Sequence, residues 1–328
     1  MTDHQALTEA SYNNLVRSLD TLADGGQELS DAGPLFHRLR NLVIVLQSTG
    51  PVAIESHDSA LSLPEALTLT STSQGLLSVM REMDYGGRVS AEMDQALSET
   101  LSNLEAQLGA TWRSSLADKI RGLYVIIDPT VTGGREPLEI ATAAVRGGAK
   151  MLQLRDKLRD KGVSLPLATA LQELCVANDA LLIINDHVDL AAAVGSGGVH
   201  VGQTDLPVAQ ARQVLAPFQV LGRSNHEIEE LIESQKMGAD HVAFGAIYPT
   251  TTKGVGRGPQ GPERLKEARA AAKVPLVAIG GINAENVAPV VEAGADAICV
   301  TAAVGSAPDP EAAAHRLVEA IRQAGGKV

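Results

Sequence analysis

The sequence predicts an α/β protein: a (β/α)8 TIM barrel over residues 119–328, preceded by an all-α domain over residues 1–118. Three observations predict it. After Arg121, short apolar runs alternate with amphipathic helical stretches eight times in about 208 residues, near the lower end of the size range for such barrels. Several of the apolar runs are preceded by a glycine-alanine signal, namely Gly147-Gly148-Ala149, Gly238-Ala239 and Gly294-Ala295, which suits helices ending and turning into the next strand. Aromatic residues make up only 2% of the chain, so its cores are built from Ala, Val, Leu and Ile, which favours helices and parallel strands over a sandwich. A doubly wound open sheet is the competing architecture. No glycine-rich fingerprint follows the first apolar run, which counts against it.

The first 118 residues read as two helical hairpins. Leu7, Tyr12, Leu15, Val16, Leu19 and Leu22 recur at helical spacing, and Asp24-Gly25-Gly26 interrupts them. Leu35, Leu39, Leu42, Val43 and Leu46 form a second stripe, closed by Gly50-Pro51. A connection runs to about Pro64, then helix resumes with Leu76, Leu77, Met80 and Met83. Gly86-Gly87 interrupts again before a last stripe of Leu97, Leu101, Leu104 and Leu108. His4, His37 and His57 are scattered, and no cluster of ligand-type residues accompanies them. Packing or assembly is the role this region suggests.

In the second part, strands are expected at Leu123–Ile127, Met151–Leu154, Leu181–Ile184, Gly198–Val201, Val220–Gly222, His241–Phe244, Leu276–Ile279 and Ala297–Val300. The apolar run of the sixth continues to Ile247 and stops at Pro249, which has no N–H to donate to a strand. Helices are expected at Pro137–Arg146, Leu167–Ala177, His226–Met237, Arg264–Ala272, Glu285–Glu292 and Pro310–Gln323.

Chemistry in a (β/α)8 barrel gathers where strands end at their C-terminal side. Polar groups occupy that place after nearly every strand from the second onward. Gln153, Arg155 and Lys157 alternate after the second strand, so on a continued strand they share one face and offer an anion clamp. Asn185 and Asp186 follow the third strand, Asp205 the fourth, and Ser224, Asn225 and His226 the fifth. The sixth is followed by Thr250, Thr251, Thr252 and Lys253, and then by a loop from Gly254 to Gly261 suited to a phosphate lid. Gly280-Gly281 follows the seventh and Thr301-Ala302-Ala303 the eighth. Asp186, Asn225 and Asn283 would each also serve as a helix cap, but capping does not explain the whole set. Three cations, Arg155, Lys157 and Lys253, exceed what one monoester needs and suit a pyrophosphate. Asp186 and Asp205 come from adjacent strands and can face one Mg2+ ion, which prefers carboxylate and phosphate oxygens. Gly280-Gly281 opening a helix suits a separate monophosphate. Two phosphorylated substrates are therefore expected. No nucleophile is evident, because Cys175 and Cys299 both lie in apolar runs and read as reduced core residues.

The motifs Tyr124-Val-Ile-Ile-Asp128, Gln153-Leu-Arg-Asp-Lys157, Ile184-Asn-Asp186, Val188-Asp-Leu-Ala191, Gly198-Val-His-Val-Gly-Gln203 with Asp205, Gly222-Arg-Ser224 with His226, Gly238-Ala-Asp240, Tyr248-Pro-Thr-Thr-Thr-Lys253 and Ala278-Ile-Gly-Gly-Ile-Asn283 occur in order across residues 121–305. Together they resemble the thiamine-phosphate synthase family. That resemblance implies condensation of 4-amino-2-methyl-5-(diphosphooxymethyl)pyrimidine with 4-methyl-5-(2-phosphooxyethyl)thiazole, giving thiamine monophosphate and pyrophosphate. It implies Arg155, Lys253 and Ser224 as catalytic residues, with Ser224 near the reacting centre. It implies Gln153, Arg155, Lys157, Asn185, Ser224 and Lys253 around the pyrimidine diphosphate. Thr250, Thr252, Gly281, Thr301 and Ala302 would receive the thiazole phosphate, and Asp186 and Asp205 would hold Mg2+. The chain departs from the family at Asn225 after Ser224 and at Thr301-Ala302-Ala303, and the helical front domain is absent from the family's simplest members.

Two other readings are a thiazole tautomerase of the same superfamily and a non-catalytic phosphate-binding scaffold. Retention of Asp186, Asp205, Arg155 and Lys253 counts against both. The net charge is -12, and residues 1–118 hold 6 Lys+Arg against 16 Asp+Glu, so that half will not attract nucleic acid or an anionic membrane. No apolar run reaches the roughly 20 residues a membrane helix needs, and no secretory signal is evident. The expected setting is cytoplasmic, with small phosphorylated substrates as partners and a homo-oligomer left open.

Overall fold

The computed structural model describes residues 3–26, 29, 32–49, 60–84, 88–250 and 258–328. The chain divides into two compact units, Met1–Trp112 and Arg113–Val328.

The first unit contains α1 (Asp3–Gly25), α2 (Gly33–Gln47), α3 (Leu63–Glu82) and most of α4 (Ala91–Ala117). The stripes read from the sequence converge: Leu15, Leu19, Leu39, Leu46, Met80 and Leu101 are among the residues of a single buried cluster. The two hairpins thus share one core, with α1 packed on both α2 and α3. Polar ties cross it, including Ser18 Oγ to Ser73 Oγ at 2.8 Å and Arg40 to Asp20 at 3.0 Å. α3 starts well before Leu76. Ser62 precedes it, Pro64 fits its first turn, and Glu65 accepts from the Ser62 backbone N–H at 2.8 Å. The hydroxyls of Thr68, Thr70 and Thr72, which look unlike helix formers in sequence, each donate to the carbonyl four residues back. The expected breaks at Gly50-Pro51 and Gly86-Gly87 lie outside the described residues.

The second unit is a closed barrel of eight parallel strands in sequence order. They are β1 (Gly122–Ile127), β2 (Met151–Leu154), β3 (Leu181–Asn185), β4 (Gly198–Val201), β5 (Val220–Asn225), β6 (His241–Gly245), β7 (Leu276–Ile279) and β8 (Ala297–Val300). Around them run α5 (Pro137–Arg146), α6 (Lys161–Ala177), α7 (Val188–Val194), α8 (Val208–Val214), α9 (Ile228–Lys236), α10 (Gly261–Ala271), α11 (Ala288–Glu292), α12 (Ala302–Gly305) and α13 (Pro310–Gln323). β1 pairs with β8 through Gly122↔Ala297 to Val125↔Val300, which closes the ring.

The strands are buried on both faces, so their burial shows no alternation. The alternation reappears in what each face touches. Leu123, Val125, Leu152, Leu182 and Val199 pack against the helices, whereas Tyr124, Ile126, Met151, Ile183, Val220 and Cys299 fill the barrel.

Several boundaries differ from the sequence expectation for local reasons. β5 continues through Ser224 and Asn225, because polar residues at the barrel mouth still pair in the ladder, Ser224 with Ala243. β6 ends at Gly245. α6 begins at Lys161, with Pro166 inside it, and its first turn is tied down by Ser164 Oγ donating to Asp156 at 2.7 Å. α11 begins late because the Asn283 side chain accepts from the N–H groups of Glu285 and Asn286 at 3.0 and 3.1 Å, holding a turn where helix was expected. The glycine-alanine signals do end helices: Gly238 and Gly294 take φ of +92° and +95°, which a side chain would resist.

Candidate active site

A pocket opens at the C-terminal ends of the strands. Gln153, Arg155, Asn185, Ser224, Thr250, Gly281, Thr301 and Ala302 line it, eight of the residues singled out from the sequence. Its inner wall is Tyr124, Ile126, Ala243, Val277, Ile279 and Cys299. Polar groups at the mouth and an apolar wall beneath suit a ligand with a charged end and an aromatic end.

The expected single-face clamp is not how the cations are arranged. β2 stops at Leu154, so Arg155 and Lys157 stand on the following loop. Gln153, on the strand and buried, donates its amide to the Tyr124 hydroxyl at 2.6 Å. Burial, helped by the nearby Cys299 thiol, pushes the Tyr124 pKa well above its usual range, so the phenol stays neutral. Arg155 reaches sideways to Asp128 at the end of β1, with Nη1 to Oδ2 at 2.5 Å. The same carboxylate accepts from Thr130 N and Oγ1 at 2.9 and 2.6 Å and is almost wholly buried. Lys157 turns away to pair with Asp186. Asp156 anchors the loop between them, accepting from Ser164, from Arg159 and from the N–H of Leu158. Burial alone would raise the Asp156 pKa, but these bonds outweigh it and the net shift is downward.

Asp186 leaves β3 with φ of +61°, a left-handed conformation that Asp tolerates better than most residues. Burial, with the adjacent Asp205 carboxylate, raises its pKa above the ordinary value, and Lys157 opposes the rise. Asp205 itself accepts from Gly202 N at 2.6 Å. Two carboxylates therefore meet beside the Lys157 ammonium, an arrangement that already accommodates positive charge. Among the described residues no group of three or more His, Cys, Asp or Glu gathers as a metal cage. Two carboxylates without a full cage fit Mg2+, which commonly takes its other oxygens from water and substrate phosphates.

The cap readings are not realised. α7, α9 and α11 have His187, Glu227 and Val287 at their N-caps. Asn225 is instead a buried knot, accepting from Ser234 Oγ at 2.6 Å and donating to Arg223 O at 2.9 Å. Gly280 and Gly281 face the loop after β6, where Tyr248 N donates to Gly280 O at 2.9 Å. Thr252 and Lys253 lie outside the described residues, as does the first half of the glycine loop.

Two side chains that line the pocket, and one that holds a lining residue, carried no role in the sequence reading. Asp128 orients Arg155. His226 lines the pocket and holds Nδ1 2.7 Å from Gly245 O. His200 also lines it, with Nε2 2.9 Å from Ser224 Oγ. The signal was available: His200 is an ionisable residue at an inward position of an otherwise apolar strand, and Asp128 is one directly after the apolar run of β1.

A family model described as thiamine monophosphate synthase matches residues 123–304. The chain is similar to the thiamine-phosphate synthase of Moorella thermoacetica, 43% identical over 205 residues that cover 62% of this chain and 98% of that protein. It is similar to that of Thioalkalivibrio sulfidiphilus, 45% identical over 202 residues covering 61% and 95%. Among solved structures, thiamine phosphate pyrophosphorylase from Pyrococcus furiosus superposes with TM-score 0.59 and 34% identity, over 64% of this chain and 100% of that one. All the matched residues 123–304 fall within the barrel unit.

Proposed function

The chain belongs to the thiamine monophosphate synthase family and is a transferase of thiamine biosynthesis, and from that premise we propose how its own residues carry the reaction. The pyrimidine diphosphate enters with its ring against Tyr124, Ile126 and Val277 and its diphosphate toward Arg155. Arg155 arrives already oriented, since Asp128 holds its guanidinium, so less side-chain entropy is lost on binding. Gln153 is likewise held by Tyr124 and presents its remaining amide atoms to the pocket. Asp186 and Asp205 would hold Mg2+, with Lys157 released from Asp186 to the substrate. When bound, the ion neutralises charge gathering on the departing pyrophosphate. Lys253 is assigned to the same leaving group.

Departure of pyrophosphate leaves a methylene cation that the aminopyrimidine ring supports, and the apolar wall keeps water from it. The thiazole nitrogen then attacks. Thr250, Gly281, Thr301 and Ala302, which line the pocket, would take the thiazole phosphate together with Thr252. A soluble setting in the cytoplasm and two small phosphorylated substrates complete the proposal; no helix among the described residues is long and apolar enough to cross a membrane.

The observation that carries this reading is the convergence of eight predicted residues on one pocket, with Arg155 fixed by Asp128 at its edge. The test is pyrophosphate release by the purified chain with the pyrimidine diphosphate and Mg2+, with and without the thiazole phosphate. Release that requires both, with thiamine monophosphate formed, is expected. Tight thiazole-phosphate binding without release would reject the proposal.

A further inference from the structure

His200, Gly222 and His241 stand on one rung of three adjacent strands: His200 pairs with Gly222 across β4 and β5, and Gly222 with His241 across β5 and β6. All three point into the barrel. The missing side chain at Gly222 is what admits the two rings, because a Cβ there would stand 1.9 Å from His241 Nε2 and 2.6 Å from His200 Nδ1. His200 Nδ1 lies 3.4 Å from His241 Nε2, and His200 Nε2 lies 2.9 Å from Ser224 Oγ. A line of polar atoms therefore runs from the sealed interior to the pocket.

We propose that His200, backed by His241, is a positioning residue that turns the Ser224 hydroxyl into a hydrogen-bond donor toward the pyrimidine diphosphate. The proposal rests on the reading that puts Ser224 near the reacting centre.

The direction of the line follows from its buried end. His241 is fully buried, and among the described residues its Nδ1 has no hydrogen-bond partner. Burial pulls its pKa down to about 4, so near neutral pH the ring carries one proton. An orphaned buried N–H is rarer than an orphaned acceptor, which puts that proton on Nε2. His241 Nε2–H then donates to His200 Nδ1. His200, neutral, carries its own proton on Nε2 and donates it to Ser224 Oγ. With that oxygen accepting from the imidazole, the serine proton is left for the pocket. The opposite direction, with Ser224 donating to His200 as a nucleophile's proton would, puts a proton on His200 Nδ1 and drives that of His241 onto the orphaned Nδ1. Ser224 is thus set to donate to substrate and not to attack it.

The test is made on the full chain labelled with 15N in its histidine rings. Imidazole nitrogen shifts, assigned by comparison with His200→Asn and His241→Asn, are expected to show both rings protonated at Nε2 and bare at Nδ1. A proton on Nδ1 of either ring overturns the proposal. Kinetics supply a second arm. His200→Leu should lower kcat about tenfold, the effect of one lost hydrogen bond, with KM for the thiazole phosphate unchanged. His200→Asn, which keeps an N–H donor, should lose less. Neither should cost anything further in a Ser224→Ala background. Equal losses with and without Ser224 would make His200 a packing residue and overturn the proposal. Absence of any turnover in the unaltered chain would reject the proposed reaction, while the nitrogen shifts would still decide the direction of the line.

Discussion

Asp128 shows how a single buried side chain holds a pocket residue in place. Its carboxylate accepts from Arg155 at 2.5 Å and is held in turn by Thr130. Asp128→Asn keeps the volume but removes the charge that aims the guanidinium. We expect kcat/KM for the pyrimidine diphosphate to fall about tenfold, the scale of one charge-assisted bond, with the thermal midpoint little changed. Steady-state kinetics at saturating thiazole phosphate check this, and an unchanged kcat/KM would remove Asp128 from the site. Asp186 poses a different question because its φ is +61°. Asp186→Ala removes a carboxylate and also places alanine in a left-handed conformation, which costs about 1–2 kcal/mol. Asp186→Asn removes the carboxylate alone, and Asn tolerates that backbone. Both should blunt the response of activity to Mg2+, and only the alanine variant should lower the unfolding midpoint. Equal midpoints would argue against backbone strain at this position. Asp128 and Asp186 were both visible in the sequence, but only Asp186 sat beside enough polar neighbours to attract a role.

At the scale of elements, the barrel repeats one joint. Asp240 precedes β6 and Asp296 precedes β8, each after a Gly-Ala pair. Asp240 accepts from Leu221 N of β5 at 2.8 Å and from Arg212 at 2.5 Å. Asp296 does the same one pair of strands later, with Leu276 N of β7 at 2.8 Å and Arg269 at 2.6 Å. The joint fixes where each strand enters the ladder and so where its far end delivers polar residues to the pocket. Asp240→Ala should therefore cost about 2–3 kcal/mol in urea unfolding, since it strands a backbone N–H and two guanidinium contacts. A loss under 0.5 kcal/mol, the scale of an ordinary surface change, would mean that the joint is not structural. The sequence displayed the Gly-Ala-Asp repeat and its helix-ending glycines. The ties to Leu221 and Leu276 were hidden, because they link residues on different strands that only closure of the sheet brings together.

For the whole molecule, His241 ties stability to pH. Its folded pKa, about 4, lies below the ordinary 6.5, so the unfolded chain binds the extra proton first. The stability this neutral ring supports is complete above pH 6.5 and is lost as pH falls toward about 4, at roughly 1.4 kcal/mol per pH unit. Urea unfolding at pH 7 and pH 5 should show a steeper loss for the native chain than for His241→Gln, and parallel losses would refute the assignment. The two-unit organisation gives a second prediction. The charge break in the sequence falls at Lys119, but the compact division falls at Trp112, within α4. Arg113 bonds Asp240 at 3.2 Å and Pro217 O at 2.5 Å inside the barrel unit. A fragment starting at Arg113 should fold and retain turnover, while one starting at Lys119 should be less stable by about 1–3 kcal/mol. Circular dichroism melting and pyrophosphate release compare the two, and equal stability would make Arg113 dispensable. The sequence by itself determined the barrel, the order of its strands and the set of polar residues at their ends, because hydrophobic period and local turn chemistry are written along the chain. Tertiary closure alone decided which of those residues pair. It set Arg155 on Asp128, Lys157 on Asp186 and His200 between His241 and Ser224, since these partners come from different strands and their meeting depends on the register of the closed sheet.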